Sequence, residues 1–253
     1  MHVDQQPYRT VYEAIRAYEG SDLHADVVRP WLRGQDGERR WLDAFARRRG
    51  SPVPDATIED SWRLYALSRI VQMLQLHYTP ASGADYRELM EHLGMHRVSA
   101  PEFHPFWHEI VSVDEAGDRA APITVVSELW PAYALGPLLV TRAGCAVRAG
   151  ADHLTRDIAE RSILYWAYVR HNRPVADLSH GWGNNSQWRS RFRRDYALDG
   201  VFHYNVDGKP KRPPDEDLEL SERLEMLRFR CFVKCTKPDE DRWPYDETWR
   251  EES

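Results

Sequence analysis

The apolar residues of this chain change their spacing once. Up to about residue 100 they recur at intervals of three and four, the period of helices with one buried face. Beyond Pro101, β-branched and apolar runs bounded by turn residues take over, as in Ile123-Thr124-Val125-Val126 and Leu138-Leu139-Val140-Thr141. Such a pattern calls for an α+β fold: an N-terminal helical layer, then a mixed or antiparallel sheet with packed helices. The expected organisation is a helical region over 1–100 and an α+β region over 101–253, within the size of one compact domain.

Start and stop signals support the helical part. Thr57-Ile58-Glu59-Asp60 reads as a capping box ahead of Trp62, Tyr65, Ala66, Arg69, Ile70 and Leu74, and Tyr78-Thr79-Pro80 ends that helix. Ser82-Gly83-Ala84-Asp85 repeats the start signal before Tyr86, Leu89, Met90 and Leu93, and Gly94 closes the segment. Segments around Tyr8 to Tyr18 and Arg39 to Arg49 are helical in pattern. Later in the chain a helix is expected from Asp152 to Arg170, and a strand from Val201 to Val206 between Asp199-Gly200 and Asp207-Gly208. Another helix is expected through Leu220, Leu224, Leu227 and Cys231. The paired Thr141-Arg142-Ala143-Gly144 and Val147-Arg148-Ala149-Gly150 read as strand ends at glycine turns.

Composition excludes several partners. A net charge of −6 supplies no global field for nucleic acid or an acidic membrane surface. No stretch approaches the roughly 18 apolar residues of a membrane span, and the opening MHVDQQPYRT has no apolar run of the signal-peptide kind. Three cysteines, Cys145, Cys231 and Cys235, do not make a disulfide framework, and a reducing, cytoplasmic setting is expected. Cys231 and Cys235 read as buried small apolar residues.

The stretch His180-Gly181-Trp182-Gly183-Asn184-Asn185-Ser186-Gln187-Trp188-Arg189 is the main candidate site. Gly181 and Gly183 allow a tight loop that presents its own amides, and Asn184, Asn185 or Ser186 can cap a helix from Gln187. That helix would anchor through Trp188, Phe192 and Tyr196 and carry Arg189, Arg191, Arg193 and Arg194 on its flanks. Free amides, helix dipole and guanidinium charge together suit an anionic small molecule, with Trp182, Asn184, Asn185, Gln187, Arg189, Arg193 and Arg194 as ligand-binding residues. The same residues also make an ordinary turn beside a solvated helix face. Their spacing matches neither a P-loop nor a dinucleotide fingerprint.

A second constellation is Glu102-Phe103-His104-Pro105-Phe106-Trp107-His108-Glu109. If a helical turn begins at Pro105, His104 and His108 share a face and one divalent transition metal, zinc or iron; on a strand they would stand ~13 Å apart. The expected third ligand is His180, with Glu109 or Glu128 as a supporting or fourth ligand, and Glu109 and His180 as the acid/base pair. His203 is a further candidate. The opposite reading takes all of these as surface or hydrogen-bonded core residues. No Gly-x-Ser-x-Gly elbow supports a serine hydrolase. Two functions therefore stand: a metal-dependent enzyme acting on a small polar or anionic metabolite, and a non-catalytic binding or immunity-type interaction protein.

Overall fold

The fold is α+β. The computed structural model describes residues 6–76, 78–80, 82–161, 188, 190–208, 219–235 and 247–253. They divide into two compact units, one formed by Met1–Arg97, Tyr133–Thr141 and Leu178–Arg193, the other by Val98–Ala132, Arg142–Asp177 and Arg194–Ser253.

The first unit is mainly helical. Helix α1 (Gln6–Arg16) buries Tyr8, Val11, Tyr12 and Ile15, spaced to form one stripe. A π-helical turn (His24–Val28) leads into α2 (Arg29–Leu32), followed by α3 (Asp36–Ala46). Helix α4 (Ile58–Leu76) is central: Leu64, Ala66, Leu67, Ile70, Val71 and Met73 are buried on all its sides. Its capping box forms as the sequence predicts, with the Thr57 N–H donating to Asp60 Oδ2 (2.9 Å) and the Asp60 N–H to Thr57 Oγ1 (3.1 Å). Helix α5 (Gly83–His92) closes at Gly94, whose φ of +83° is open to glycine at little cost. Its start differs from the expectation. Ser82 Oγ accepts the Thr79 N–H (2.9 Å) and does not cap α5, so Asp85 serves another purpose. Strand β1 (His96–Val98) follows, and β4 (Ala132–Leu135) and β5 (Leu138–Thr141) pair as an antiparallel hairpin buried along most of its length.

In the second unit β2 (His108–Glu115), β6 (Ala143–Ala149) and β3 (Thr124–Trp130) form a mixed sheet, β6 lying between a parallel β2 and an antiparallel β3. Ile110, Val113, Cys145 and Val147 meet Leu154, Met226, Cys231 and Phe232 in its core. Helices α6 (Arg156–Arg161) and α7 (Leu220–Phe229) belong to this unit, as do the antiparallel strands β7 (Asp195–Leu198), β8 (Val201–Tyr204) and β9 (Trp249–Glu252). Asp199 and Gly200, at φ of 52° and 75°, link β7 to β8 as the two central residues of a tight hairpin.

Four expectations change. Residues 190–194 are irregular and Tyr196 lies in β7, so no helix runs from Gln187 to Tyr196; strand pairing with His203 overrides the i, i+4 apolar spacing. Gly144 sits inside β6 rather than at a turn, because the Trp130 indole occupies the space a Cβ would take, 2.3 Å away. The helix expected from Asp152 begins at Arg156, and its extent beyond 161 lies outside the described residues. Cys231 and Cys235 lie past the end of α7, where Arg230 turns left-handed (φ 58°); both are buried thiols outside any disulfide, as is Cys145.

Candidate metal centre

The chemistry that the structure brings together lies in the first unit, where His24, Asp85 and Glu88 place one ligand atom each within 4.8 Å of one another. His24 is 7% exposed, and its Nε2 lies 2.9 Å from Glu88 Oε2 and 4.0 Å from Asp85 Oδ1. Asp85 and Glu88 stand three residues apart on α5 and so share a face. Three donors each about 2.1 Å from a tetrahedral ion stand about 3.4 Å from one another, and the two observed separations bracket that value.

The π-helical turn positions the imidazole. In an α-helix His24 and Arg29 would point about 140° apart. Here the Arg29 N–H bonds the His24 carbonyl five residues back, which sets both side chains on one side. Pro30 contributes, since it has no N–H to continue the i−4 ladder to Asp26. Both side chains consequently meet the same carboxylate, Arg29 Nη2 lying 3.1 Å from Glu88 Oε2. Hydrogen bonds from Arg29 and His24 hold the Glu88 carboxyl below the usual carboxylate range.

Beside this group is a cavity of about 440 Å³, walled by Tyr18, Asp22, His24, Ser82, Asp85 and Tyr86 among others. Tyr18 braces the entrance loop: its hydroxyl accepts the Asp22 N–H (2.8 Å) and donates to Asp26 Oδ2 (2.5 Å). A Cβ at Gly20 would stand 2.3 Å from the Tyr18 hydroxyl oxygen, so any side chain there would push the Tyr18 ring from this brace. At the back, the Gln75 amide donates to the Tyr86 hydroxyl (3.0 Å) and to Thr141 Oγ1 (2.7 Å). Burial pushes the Tyr86 hydroxyl far above its usual pKa, so it remains neutral.

The histidine pair read from the sequence sits in the second unit. The backbone does turn there, the His108 N–H bonding the His104 carbonyl (2.9 Å). Backbone groups, however, occupy the ring nitrogens. His104 Nδ1 accepts the Phe106 N–H (3.1 Å), and His108 Nδ1 lies 3.0 Å from the His104 amide nitrogen, with the Ala100 carbonyl a further partner of that ring. An Nδ1 that accepts an amide hydrogen bond leaves the ring proton on Nε2, so His104 offers a metal no lone pair until that bond breaks, whereas His108 Nδ1 also lies 3.2 Å from the His104 carbonyl and its role there depends on the tautomer. Burial also lowers the pKa of both and favours the neutral form. His104 lies against Phe202 and His108 stacks on Phe103, an aromatic surround in keeping with a packing role. Glu109 is buried at the start of β2, while Glu128 is exposed on β3. His203 is buried on β8, its pKa lowered by burial and by Arg250.

His180, Trp182, Asn184, Asn185, Gln187 and Arg189 lie outside the described residues. Of the arginines proposed beside them, Arg193 is buried. Arg194 is buried too, and forks onto Asp207 (2.8 and 2.7 Å) while donating to the Tyr196 hydroxyl (3.1 Å). Arg194 thus lies on irregular backbone rather than a solvated helix flank, in an ion pair that ties β7 to the turn after β8. Among the described residues no helix is long and apolar enough to cross a membrane. Comparison with protein-family models, curated proteins and solved structures gave no match.

Proposed function

We propose that this protein is a metal-dependent enzyme acting on a small polar metabolite, with one divalent ion, zinc or iron, held by His24, Asp85 and Glu88. One observation carries the reading: a buried imidazole nitrogen and two carboxylate oxygens converge within 4.8 Å, and two of the three residues, His24 and Asp85, line a cavity of about 440 Å³. Three protein donors leave coordination positions open, as catalytic sites require and closed structural sites do not. An imidazole with two carboxylates suits zinc or iron. Asp22 in the wall, beside a centre whose two carboxylates offset the charge of the ion, disfavours an anion entering alone, which narrows the metabolite from the anionic class suggested by the arginine-rich stretch to neutral or cationic hydroxyl-bearing molecules. The metal-dependent reading of the sequence is retained, and its centre moves from His104, His108 and His180 to this cavity.

Metal content decides it. Protein purified without a histidine tag and equilibrated with zinc or iron should retain one equivalent, lost in His24→Ala and Asp85→Asn and kept in His104→Ala. Substoichiometric metal that His24→Ala leaves unchanged would overturn the proposal.

The non-catalytic interaction protein has one observation in its favour. Val126 (58% exposed) and Leu129 (37%) lie on β3, an edge strand of the three-stranded sheet. On that reading Val126→Lys with Leu129→Lys abolishes the protein's action in its cell while metal content stays unchanged.

A further inference from the structure

We infer that Arg29 is a built-in competitor of the metal, holding Glu88 while the centre is empty and yielding when a divalent cation binds. The inference rests on the assignment of His24, Asp85 and Glu88 as the metal donors. Three observations carry it. First, His24 Nε2 and Arg29 Nη2 meet the same oxygen, Glu88 Oε2, at 2.9 and 3.1 Å. Second, the π-helical turn places these two side chains on one side, so their convergence is built into the backbone. Third, the partners differ in freedom. His24 is 7% exposed and fixed, whereas the Arg29 side chain is 42% exposed and has water to turn into.

The charges set the direction of the exchange. Without metal, Asp85 and Glu88 are two carboxylates on one helix face, and Arg29 is the cation that offsets their repulsion. A divalent ion on Glu88 Oε2 would stand only about 4–5 Å from the guanidinium, a like-charge contact that an exposed arginine relieves by swinging away. Arg29 therefore holds the donors in place when no ion is bound and weakens the binding of one. A monovalent cation gains less from the two carboxylates and displaces Arg29 poorly, so the device favours divalent ions.

Calorimetric titration of Zn²⁺ into metal-free wild type, Arg29→Gln and Arg29→Lys tests this. Arg29→Gln should bind about fivefold tighter, in keeping with the strength of an exposed pair, and Arg29→Lys should stay near wild type because the competing charge remains. Circular dichroism checks folding, and Arg29→Met, which keeps the apolar stem, repeats the measurement with a second neutral side chain. Equal or weaker affinity in both neutral variants would overturn the competitor role while leaving the metal centre standing. Absence of Zn²⁺ binding in wild type and all variants would remove the centre itself.

Discussion

Thr57 and Asp60 hydrogen-bond each other's backbone amides at the start of α4, and Asp60 is at the same time the carboxylate that receives Arg48 at 2.5 and 3.1 Å. One side chain thus caps the central helix and anchors an ion pair. Asp60→Ala should cost on the order of 2 kcal/mol, from the lost cap and from Arg48 left without its partner. The sign of the pH dependence follows. Burial raises the Asp60 pKa, but Arg48 and Thr57 outweigh it and the net value is lowered. A depressed carboxyl contributes stability above the unfolded pKa of about 3.9 and loses it as pH falls through the folded value. Urea melts at pH 7 and pH 3 should show a smaller acid loss in Asp60→Asn than in wild type; equal losses would remove this carboxyl from the acid limb.

Asp195 is fully buried between two guanidiniums, Arg142 Nη2 at 3.5 Å and Arg230 Nη2 at 3.1 Å, and its other oxygen accepts the Asn205 N–H at 2.7 Å. Neutralising the carboxylate leaves two cations facing each other. Asp195→Asn should therefore cost about 3–5 kcal/mol, the range for breaking a buried pair from one side. Arg230→Met should cost clearly less, since Arg142 still compensates Asp195. Equilibrium unfolding at pH 7 measures both, and a reversed order would show that the charges are not what this network contributes.

How legible these features were in the sequence depends on their range. The α4 cap and the Asp199-Gly200 hairpin lie within four consecutive residues, so composition alone specifies them. The candidate metal centre is not so specified: His24 reaches Glu88 across 64 positions, and nothing local marks either as a candidate ligand. The available signal was Asp85 and Glu88 at i, i+3 on a helix, and Asp85 reads locally as a capping acid. His104 and His108 show the other limit of local reading. Their i, i+4 spacing is conspicuous, yet the turn that brings them together also occupies Nδ1 of each ring with backbone amides. At Arg194 the sequence shows a basic cluster but not the Asp207 that binds it.

Gly144 tests a close approach between two strands. It lies opposite Trp130, and a Cβ there would meet the indole at 2.3 Å. The indole cannot yield freely, being 3% exposed and donating from Nε1 to the Arg142 carbonyl at 3.0 Å. Gly144→Ala should thus cost roughly 1–3 kcal/mol by overpacking. In a Trp130→Leu background the same change should cost much less, because the clashing ring is gone. Additive losses in the double mutant would place the strain elsewhere.

Trp188 is the described residue of the HGWGNNSQWR stretch, and its burial separates packing from ligand chemistry there. The ring is 4% exposed and meets Tyr12 of α1 edge to face, with centroids 5.2 Å apart and planes at 81°. Three residues beyond the stretch's Arg189, the chain is held again: Phe192 is buried and its N–H donates to Ser61 Oγ on α4 at 2.9 Å. Trp188→Ala should accordingly cost about 3–5 kcal/mol, as for other large core aromatics reduced to alanine. Trp188→Phe should recover part of that loss by keeping an aromatic edge against Tyr12. A double-mutant cycle with Tyr12→Leu isolates the ring pair, and a coupling of about 0.5–1.5 kcal/mol is expected beyond simple area burial. A Trp188→Ala loss below about 1 kcal/mol would mean that the segment is not anchored through this ring, and its tryptophans would then have to be explained by what they bind.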